Sequence, residues 1–107
     1  MSTTFDKREK DFEARFRHDQ EFRFKVTARR NRLLGLWAAA KMGLAGVEAQ
    51  NYAASVVEAE FEPGGDRHVV AKIAADLAAK GDATTPAQIR FELEHFTEQA
   101  KQQLMLE

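Results

Sequence analysis

The sequence has 107 residues, of which 44% are apolar and 31% charged, with a formal net charge of -1 and no cysteine. This length predicts one domain with a modest core, and the composition is typical of a globular chain. The absence of cysteine excludes disulfides, thiol chemistry and cysteine-ligated metals. No apolar run approaches the roughly 18 residues of a membrane span, and the N-terminus lacks a signal-like pattern. We therefore expect a soluble, intracellular protein that does not insert directly into a membrane.

The first predicted element is one long helix over residues 1–46. No glycine precedes Gly35 and no proline precedes Pro63, so no helix breaker interrupts the segment before Gly35. We expect the helix to end near Gly43 or Gly46, because glycine adopts the left-handed C-terminal position at little cost. Small residues, including Gly35 and residues 38–40, predict a close approach by another helix. The expected contribution to the core is one apolar stripe, formed by Phe22, Val26, Leu33, Leu36, Trp37, Ala40 and Leu44.

Two shorter amphipathic helices follow. The second is predicted from about Val47 to Phe61, with Pro63-Gly64-Gly65 ending it. The third is predicted to begin at Asp66, which is a candidate N-cap residue, and to close at Lys80-Gly81. Their apolar stripes are Tyr52, Ala53, Val56, Val57 and Phe61 in the second helix, and Val69, Val70, Ile73, Ala74 and Leu77 in the third.

The fourth helix has the clearest start signal in the chain. Thr85 is the expected N-cap, Pro86 occupies the first helical position, and Gln88 follows the cap by three residues. No segment has the alternation of a strand. The sequence therefore predicts an all-α fold, a four-helix bundle with a long first helix.

The long first helix exceeds what its neighbours can cover. About 40 residues of helix span roughly 60 Å, whereas each of the other helices has about 15–20 residues. We therefore predict a mobile N-terminal arm over residues 1–20, which projects or is disordered when free, and a bundle domain over residues 21–107. Around the helix axis, the stripe of Phe residues before residue 20 is offset by about 70° from the later apolar stripe that contributes to the core. The drift of a coiled coil over three heptads produces the same offset. Periodicity alone leaves an arm and a coiled-coil strand both open.

Charge is distributed unevenly along the chain. Residues 1–32 contain ten basic residues (Lys and Arg) and six acidic ones (Asp and Glu). Residues 33–107 contain six basic and eleven acidic residues. Such asymmetry is typical of an interaction segment. The acidic residues alternate with the basic ones and would repel phosphates, so we expect no nucleic-acid partner. Mixed charge with interleaved Phe favours a groove on another protein.

Catalytic and metal sites are not indicated. His18, His68 and His95 occur singly, without the spacing of metal ligands. The pairs Glu58/Glu62 and Glu94/Glu98 lack an accompanying Glu-x-x-His motif, so they are interpreted as solvated helix faces. No nucleophile and base form a recognisable motif. We expect a protein that is not an enzyme and has no metal site.

Three segments resemble a known family: 4–9 (TFDKRE), 28–39 (ARRNRLLGLWAA), and 52–61 with Tyr52-Ala53, Val56-Val57 and Phe61. Together they are similar to the zeta subunit, the small inhibitor of bacterial F-type ATP synthases. The resemblance runs from Thr4 to about Gln103. It implies a helical bundle whose mobile N-terminal region inserts into a catalytic interface between the alpha and beta subunits, next to gamma, and blocks ATP hydrolysis. It also implies a cytoplasmic protein, peripheral to the inner membrane through the ATP synthase.

The resemblance suggests which residues contact the partner. Phe5, Phe12 and Phe16 are expected as apolar anchors of the arm. The polar contacts of the arm are expected from Asp6, Lys7, Arg8, Glu9, Lys10, Glu13 and Arg15. Arg29, Arg30 and Arg32 are expected at the junction of arm and bundle, where they contact either the partner or acidic groups of the bundle.

Two alternatives remain open from the sequence. One is a helical coiled-coil adaptor whose Phe stripe drives dimerisation. The other is a bundle protein that binds nucleotide weakly. No cofactor is required by any motif, but weak binding of ADP or ATP stays open because helix termini hold phosphates without a glycine-rich loop.

Overall fold

The computed structural model describes the backbone of residues 3–107 and the side chains of residues 17–107. Helix α1 spans Thr3–Lys41, α2 Gly46–Ala59, α3 Asp66–Ala79 and α4 Pro86–Met105. The described residues form no strand, which confirms the predicted all-α four-helix fold. No helix in this part of the chain combines the length and the apolar character needed to cross a membrane.

Helix α1 is much longer than its neighbours. It has 39 residues, whereas α2, α3 and α4 have 14, 14 and 20. The described side chains of residues 17–21 are all exposed, and Val26 is the first buried one at 6% exposure. The division of the chain at residue 20 stays a prediction, since most of the proposed arm lies outside the described side chains.

Helix α1 ends at the first of the two predicted glycines. Gly43 has a φ of 78°, its N–H donates to the carbonyl of Ala40 over 3.1 Å, and the N–H of Leu44 donates to Ala39 over 2.9 Å. These two bonds form a Schellman motif, which satisfies carbonyl groups that the helix end leaves free. The prediction of a helix reaching residue 46 was wrong, because Gly46 already opens α2.

The turn between α2 and α3 departs from the sequence prediction in two places. Asp66 is the first residue of α3 and not its cap; Gly65 occupies the cap position without a side-chain bond. The Asp66 carboxylate accepts a hydrogen bond from Arg30 instead. Phe61 was predicted in the apolar stripe of α2, but the helix ends at Ala59 and the ring is 71% exposed.

The predicted start of α4 is confirmed in detail. The Thr85 hydroxyl accepts from the Gln88 N–H, and the Gln88 side chain accepts from the Thr85 N–H over 2.8 Å. Pro86 stands at the first helical position, where its missing N–H costs nothing. The capping box therefore fixes the first turn of α4.

The core lies where the four helices meet and is made of aliphatic side chains. Its largest fully buried apolar members are Leu34, Ile73, Leu77, Ile89, Val56 and Val69. Helix α1 contributes Leu34, Ala38 and Ala39, with Trp37 packed at the edge, whereas the predicted core residue Ala40 is exposed. The apolar stripe of α1 was therefore predicted one residue out of phase at this end.

Gly35 allows α1 and α2 to approach closely, as the sequence predicted. A Cβ atom at this position would lie 2.7 Å from the Cα of Ala53 and 3.2 Å from the Cβ of Val56. Both of these neighbours are buried. The contact of α1 with α2 therefore depends on the absence of a side chain at Gly35.

Candidate partner-binding surface

A cluster of polar side chains fastens α1 to the turn between α2 and α3. We call Arg30, Asn31, Glu60 and Asp66 the polar cluster. The Arg30 guanidinium donates from Nη2 to Glu60 Oε1 and to Asp66 Oδ1, each over 2.8 Å, and from Nε to Asn31 Oδ1 over 3.0 Å. The Asn31 amide completes the cluster by donating to Glu60 Oε1 over 2.8 Å.

The two α1 members of the polar cluster are buried, whereas Glu60 is partly buried and the Asp66 side chain is 56% exposed. Arg30 is 6% exposed and Asn31 is 0% exposed. Among the described side chains, no buried nitrogen or oxygen atom lacks a hydrogen-bond partner. Removing one member of such a cluster leaves the others desolvated and unpaired, which is costly. The cluster therefore holds α1 in a fixed position relative to α2 and α3, close to where α1 leaves the bundle.

Burial raises the pKa of Glu60 above its usual value. The nearby Asp66 carboxylate also raises this pKa, because two negative groups share the Arg30 guanidinium. The Asn31 hydrogen bond and the Arg30 charge act in the opposite direction and are outweighed. Glu60 consequently binds a proton more readily than a fully solvated glutamate as the pH falls, because its pKa is raised.

Two exposed aromatic rings lie beside the polar cluster. Phe24 on α1 is 59% exposed and Phe61 after α2 is 71% exposed, with ring centroids 6.3 Å apart. A small cavity of about 50 Å³ lies below them, lined by Ala28 and Val57 among others. Both rings present most of their surface to solvent, which is unusual for a pair of Phe side chains.

Basic side chains run along α1 beside these rings. Lys25, Arg29 and Arg32 line an open groove between α1, the end of α2 and the end of α4, with a volume of about 450 Å³. Arg29 is paired with Glu107 over 2.6 Å, and Arg32 donates to Gln50 over 2.7 Å. We call Phe24, Lys25, Arg29, Arg32 and Phe61 the junction surface.

Comparison with known proteins identifies the family. The family model described as ATPase inhibitor subunit zeta matches residues 1–103, which include the proposed arm and nearly all of the bundle. The chain belongs to this zeta family. Membership makes it an ATPase inhibitor subunit, with a regulatory role that is associated with ATP synthase. It also confirms the resemblance seen in the sequence.

A solved structure supports the fold of this zeta-family chain. A protein studied by solution NMR is 45% identical, with a TM-score of 0.68, and the match covers 77% of this chain and 93% of that one. No curated protein matches the chain. Within the described residues, no group of His, Asp and Glu is arranged to hold a metal ion.

The structure places three of the partner-binding residues predicted for this zeta-family chain. Arg29 and Arg32 lie on the junction surface, whereas Arg30 is buried and bonded to the acidic groups of the polar cluster. Their contacts with a partner stay predictions. The predicted arm contacts lie outside the described side chains: Phe5, Asp6, Lys7, Arg8, Glu9, Lys10, Phe12, Glu13, Arg15 and Phe16.

Sequence reasoning did not find the junction surface as a unit. Phe24 falls outside the apolar stripe of α1, and Phe61 was assigned to the core. The clue in the sequence was that Phe61 precedes Pro63-Gly64-Gly65 by only two residues, a position where a helix has often already ended. The pairing of Phe24 with Phe61 depends on helix packing and has no local signature.

Proposed function

We propose that this chain inhibits ATP hydrolysis by the bacterial F-type ATP synthase by inserting its N-terminal arm, residues 1–20, into a catalytic alpha/beta interface next to gamma. The observation that carries the proposal is the match of the zeta family model to residues 1–103, because it includes the arm together with the bundle. The bundle, residues 21–107, then serves as the base that presents the arm. The protein acts on the cytoplasmic side, peripheral to the inner membrane through the ATP synthase.

The fastening of α1 supports a mechanical role for the arm. Helix α1 continues from Lys41 in the bundle to Thr3 without interruption. Arg30 ties its middle to two other helices of the bundle region through Glu60 and Asp66. A wedge that stops a rotating gamma subunit has to resist displacement, and a helix held through the buried Arg30 by two ion pairs provides such a base.

The composition of the arm suits insertion between protein surfaces. Full burial of one Phe stabilises a complex by roughly 1.5–3 kcal/mol, so Phe5, Phe12 and Phe16 together offset much of the cost of ordering the segment. Charged residues around them, seven in the predicted set, set register and association rate. The inhibition needs neither a catalytic group nor a cofactor in this chain.

Deletion of residues 2–19 tests the proposal. The truncated protein should lose inhibition of hydrolysis by the purified matching ATPase, because the wedge is gone. The retained bundle should keep its helical circular dichroism and its melting temperature, since every buried residue among the described side chains follows residue 25. Synthesis and hydrolysis are measured separately in membrane vesicles, and only hydrolysis should respond to the full-length protein.

A substitution series gives a finer version of the same test. Phe5, Phe12 and Phe16 are replaced together by Ala, and Phe91→Ala, an exposed Phe on α4 at 70% exposure, is the matched control. The triple variant should inhibit at least tenfold less strongly, whereas the control should inhibit like the wild type. Full inhibition by either the truncated or the triple variant would show that the arm is not the inhibitory element.

Weak nucleotide binding is a second candidate, supported by one cavity. An opening of about 470 Å³ between α3 and α4 is lined by Arg67 and Arg90, together with Asp66, Glu94 and apolar side chains. Titration of ATP and of ADP into the protein, followed by calorimetry, should give binding that weakens in Arg90→Ala. Heats no larger than those of dilution would remove this candidate and leave the inhibitory role unaffected.

A further inference from the structure

The junction surface has the properties of a protein contact site. Insertion of the arm into the ATPase does not by itself require such a site on the bundle. Phe24 and Phe61 lie on the bundle side of residue 20, and their combined exposure leaves most of two aromatic rings in water. Neighbouring aromatic rings with an apolar cavity beneath them are typical of the centre of a protein interface. The surface is therefore a candidate docking site for a segment other than the arm.

Helical geometry divides the surface into two parallel rows. Lys25, Arg29 and Arg32 follow the i, i+4, i+7 spacing and share one face of α1. Phe24 and Ala28 form the adjacent row, which Phe61 and Val57 extend onto α2 and the following turn. An apolar row beside a basic row fits a helix that carries an apolar row beside an acidic row.

The charge of the groove selects the occupant. Among the residues that line it, three are basic and one, Glu107, is acidic. Glu107 is already paired with Arg29, so Lys25 and Arg32 remain to meet carboxylates of a partner. An acidic surface is attracted to this groove and a basic one is repelled.

We propose that the junction surface docks an acidic amphipathic helix of the ATP synthase catalytic head, as a second contact that holds the bundle while the arm is inserted. This inference rests on the proposed function for the identity of the partner. The rings of Phe24 and Phe61 insert between apolar side chains of that helix, and Lys25 and Arg32 pair with its carboxylates.

Two other occupants are disfavoured by the same geometry. A two-fold dimer of this chain through the surface would bring together two patches that each carry Lys25, Arg29 and Arg32, and the repulsion between like charges disfavours it. The chain's own arm cannot cover the surface without breaking α1, since α1 leads directly from Lys25 towards its first residue. A separate acidic helix meets neither obstacle.

Binding of the full-length protein to the purified catalytic head, in the presence of Mg-ATP, tests the proposal. Phe24→Ala combined with Phe61→Ala should weaken binding about tenfold or more, as for aromatic residues at the centre of an interface. Lys25→Glu should weaken it as well, and should reduce the loss of affinity that added salt causes in the wild type. Arm variants are measured in parallel, with hydrolysis as the second readout.

Two variants at the opposite end of the bundle serve as controls. Phe91→Ala matches Phe61 in residue type and exposure, 70% against 71%. Lys80→Glu matches the charge change of Lys25→Glu at another exposed lysine. All of these side chains are exposed, so the variants should fold, which melting curves verify. The controls should bind like the wild type, and equal weakening in a control and its counterpart would contradict a localised surface.

The occupant is identified by photo-crosslinking from position 61. The expected product joins this chain to a peptide of the catalytic head that is rich in Asp and Glu. A basic peptide, a second copy of this chain or its own residues 1–20 as the product would overturn the proposal. If the junction variants bind normally while the arm variants fail to inhibit, the second contact is refuted and the proposed function stands. If the wild type does not inhibit ATP hydrolysis at all, the proposed function is refuted, and the second contact that rests on it is refuted with it.

Discussion

Substitution of Gly35 by Ala tests the packing of α1 against α2, because two physical effects predict opposite changes in the free energy of unfolding. On an exposed helix, Gly→Ala stabilises by about 0.5–1 kcal/mol, because alanine loses less backbone freedom on folding. At Gly35 the added methyl group would lie 2.7 Å from the Cα of Ala53, a backbone atom of α2. A backbone atom cannot rotate away, so α1 and α2 would have to separate.

The expected change in stability follows from the cost of overpacking and the gain in helix propensity. Overpacking of a filled core costs about 1–3 kcal/mol, and the gain in helix propensity offsets about 1 kcal/mol of it. We therefore expect Gly35→Ala to lower the free energy of unfolding by up to about 2 kcal/mol, with each kcal/mol lowering the melting temperature by about 4 °C or more in a domain of this size. Urea unfolding followed by circular dichroism gives the free energy directly.

Ala40→Gly is the matched control for the propensity term. Ala40 is on the same helix and is exposed, so only helix propensity should change, with a loss of about 0.5–1 kcal/mol. A Gly35→Ala variant that is more stable than the wild type would refute the close approach of α1 and α2. The same result would require another explanation for glycine at this position.

Three further predictions concern the cap and the polar cluster. Thr85→Ala should cost about 1 kcal/mol in urea unfolding because it removes the capping bond of α4, whereas Thr85→Ser should cost less; equal losses would exclude the cap as the cause. Arg30→Met should cost about 1–3 kcal/mol, because Asn31 and the partly buried Glu60 lose the hydrogen bonds of the guanidinium, and a neutral result would show that the cluster is not stabilising. The raised pKa of Glu60 means that the folded state binds its proton more tightly than the unfolded state, so this group's contribution to stability falls as the pH rises from about 4.5 through the folded pKa. Glu60→Gln should remove that part of the pH dependence in unfolding curves, and an unchanged pH profile would contradict the shift.

Local signals in the sequence predicted the ends of the helices well. The Thr85-Pro86-Ala87-Gln88 start depends on bonds within one turn, so the residues alone identify it. The end of α1 was narrowed only to Gly43 or Gly46, and the structure places it at Gly43. Asp66 was a reasonable cap by the same rules, but Arg30, 36 residues away in the sequence, bonds to its carboxylate. A long-range ion pair overrode a local preference, and no pattern near Asp66 indicated it.

The candidate surface was predictable only in part. The basic run containing Arg29, Arg30 and Arg32 was recognised, but its spacing does not reveal that Arg30 points inward while the other two line a groove. The burial of Asn31 was missed because asparagine is rarely fully buried without partners. Its partners, Arg30 and Glu60, become visible only when α1 and α2 are packed together.

The position of the single tryptophan determines what optical methods can detect in this protein. Trp37 packs against the core with the Lys41 ammonium 5.3 Å from its ring centre, and the only tyrosine, Tyr52, donates its hydroxyl to Asp76 within the bundle. The tryptophan and the tyrosine therefore both report on the bundle, and residues 1–20 contain neither residue type. Intrinsic fluorescence will follow unfolding of the core but will be insensitive to events confined to the arm. A dye or an introduced tryptophan in residues 1–20 is needed to observe the arm engaging its partner.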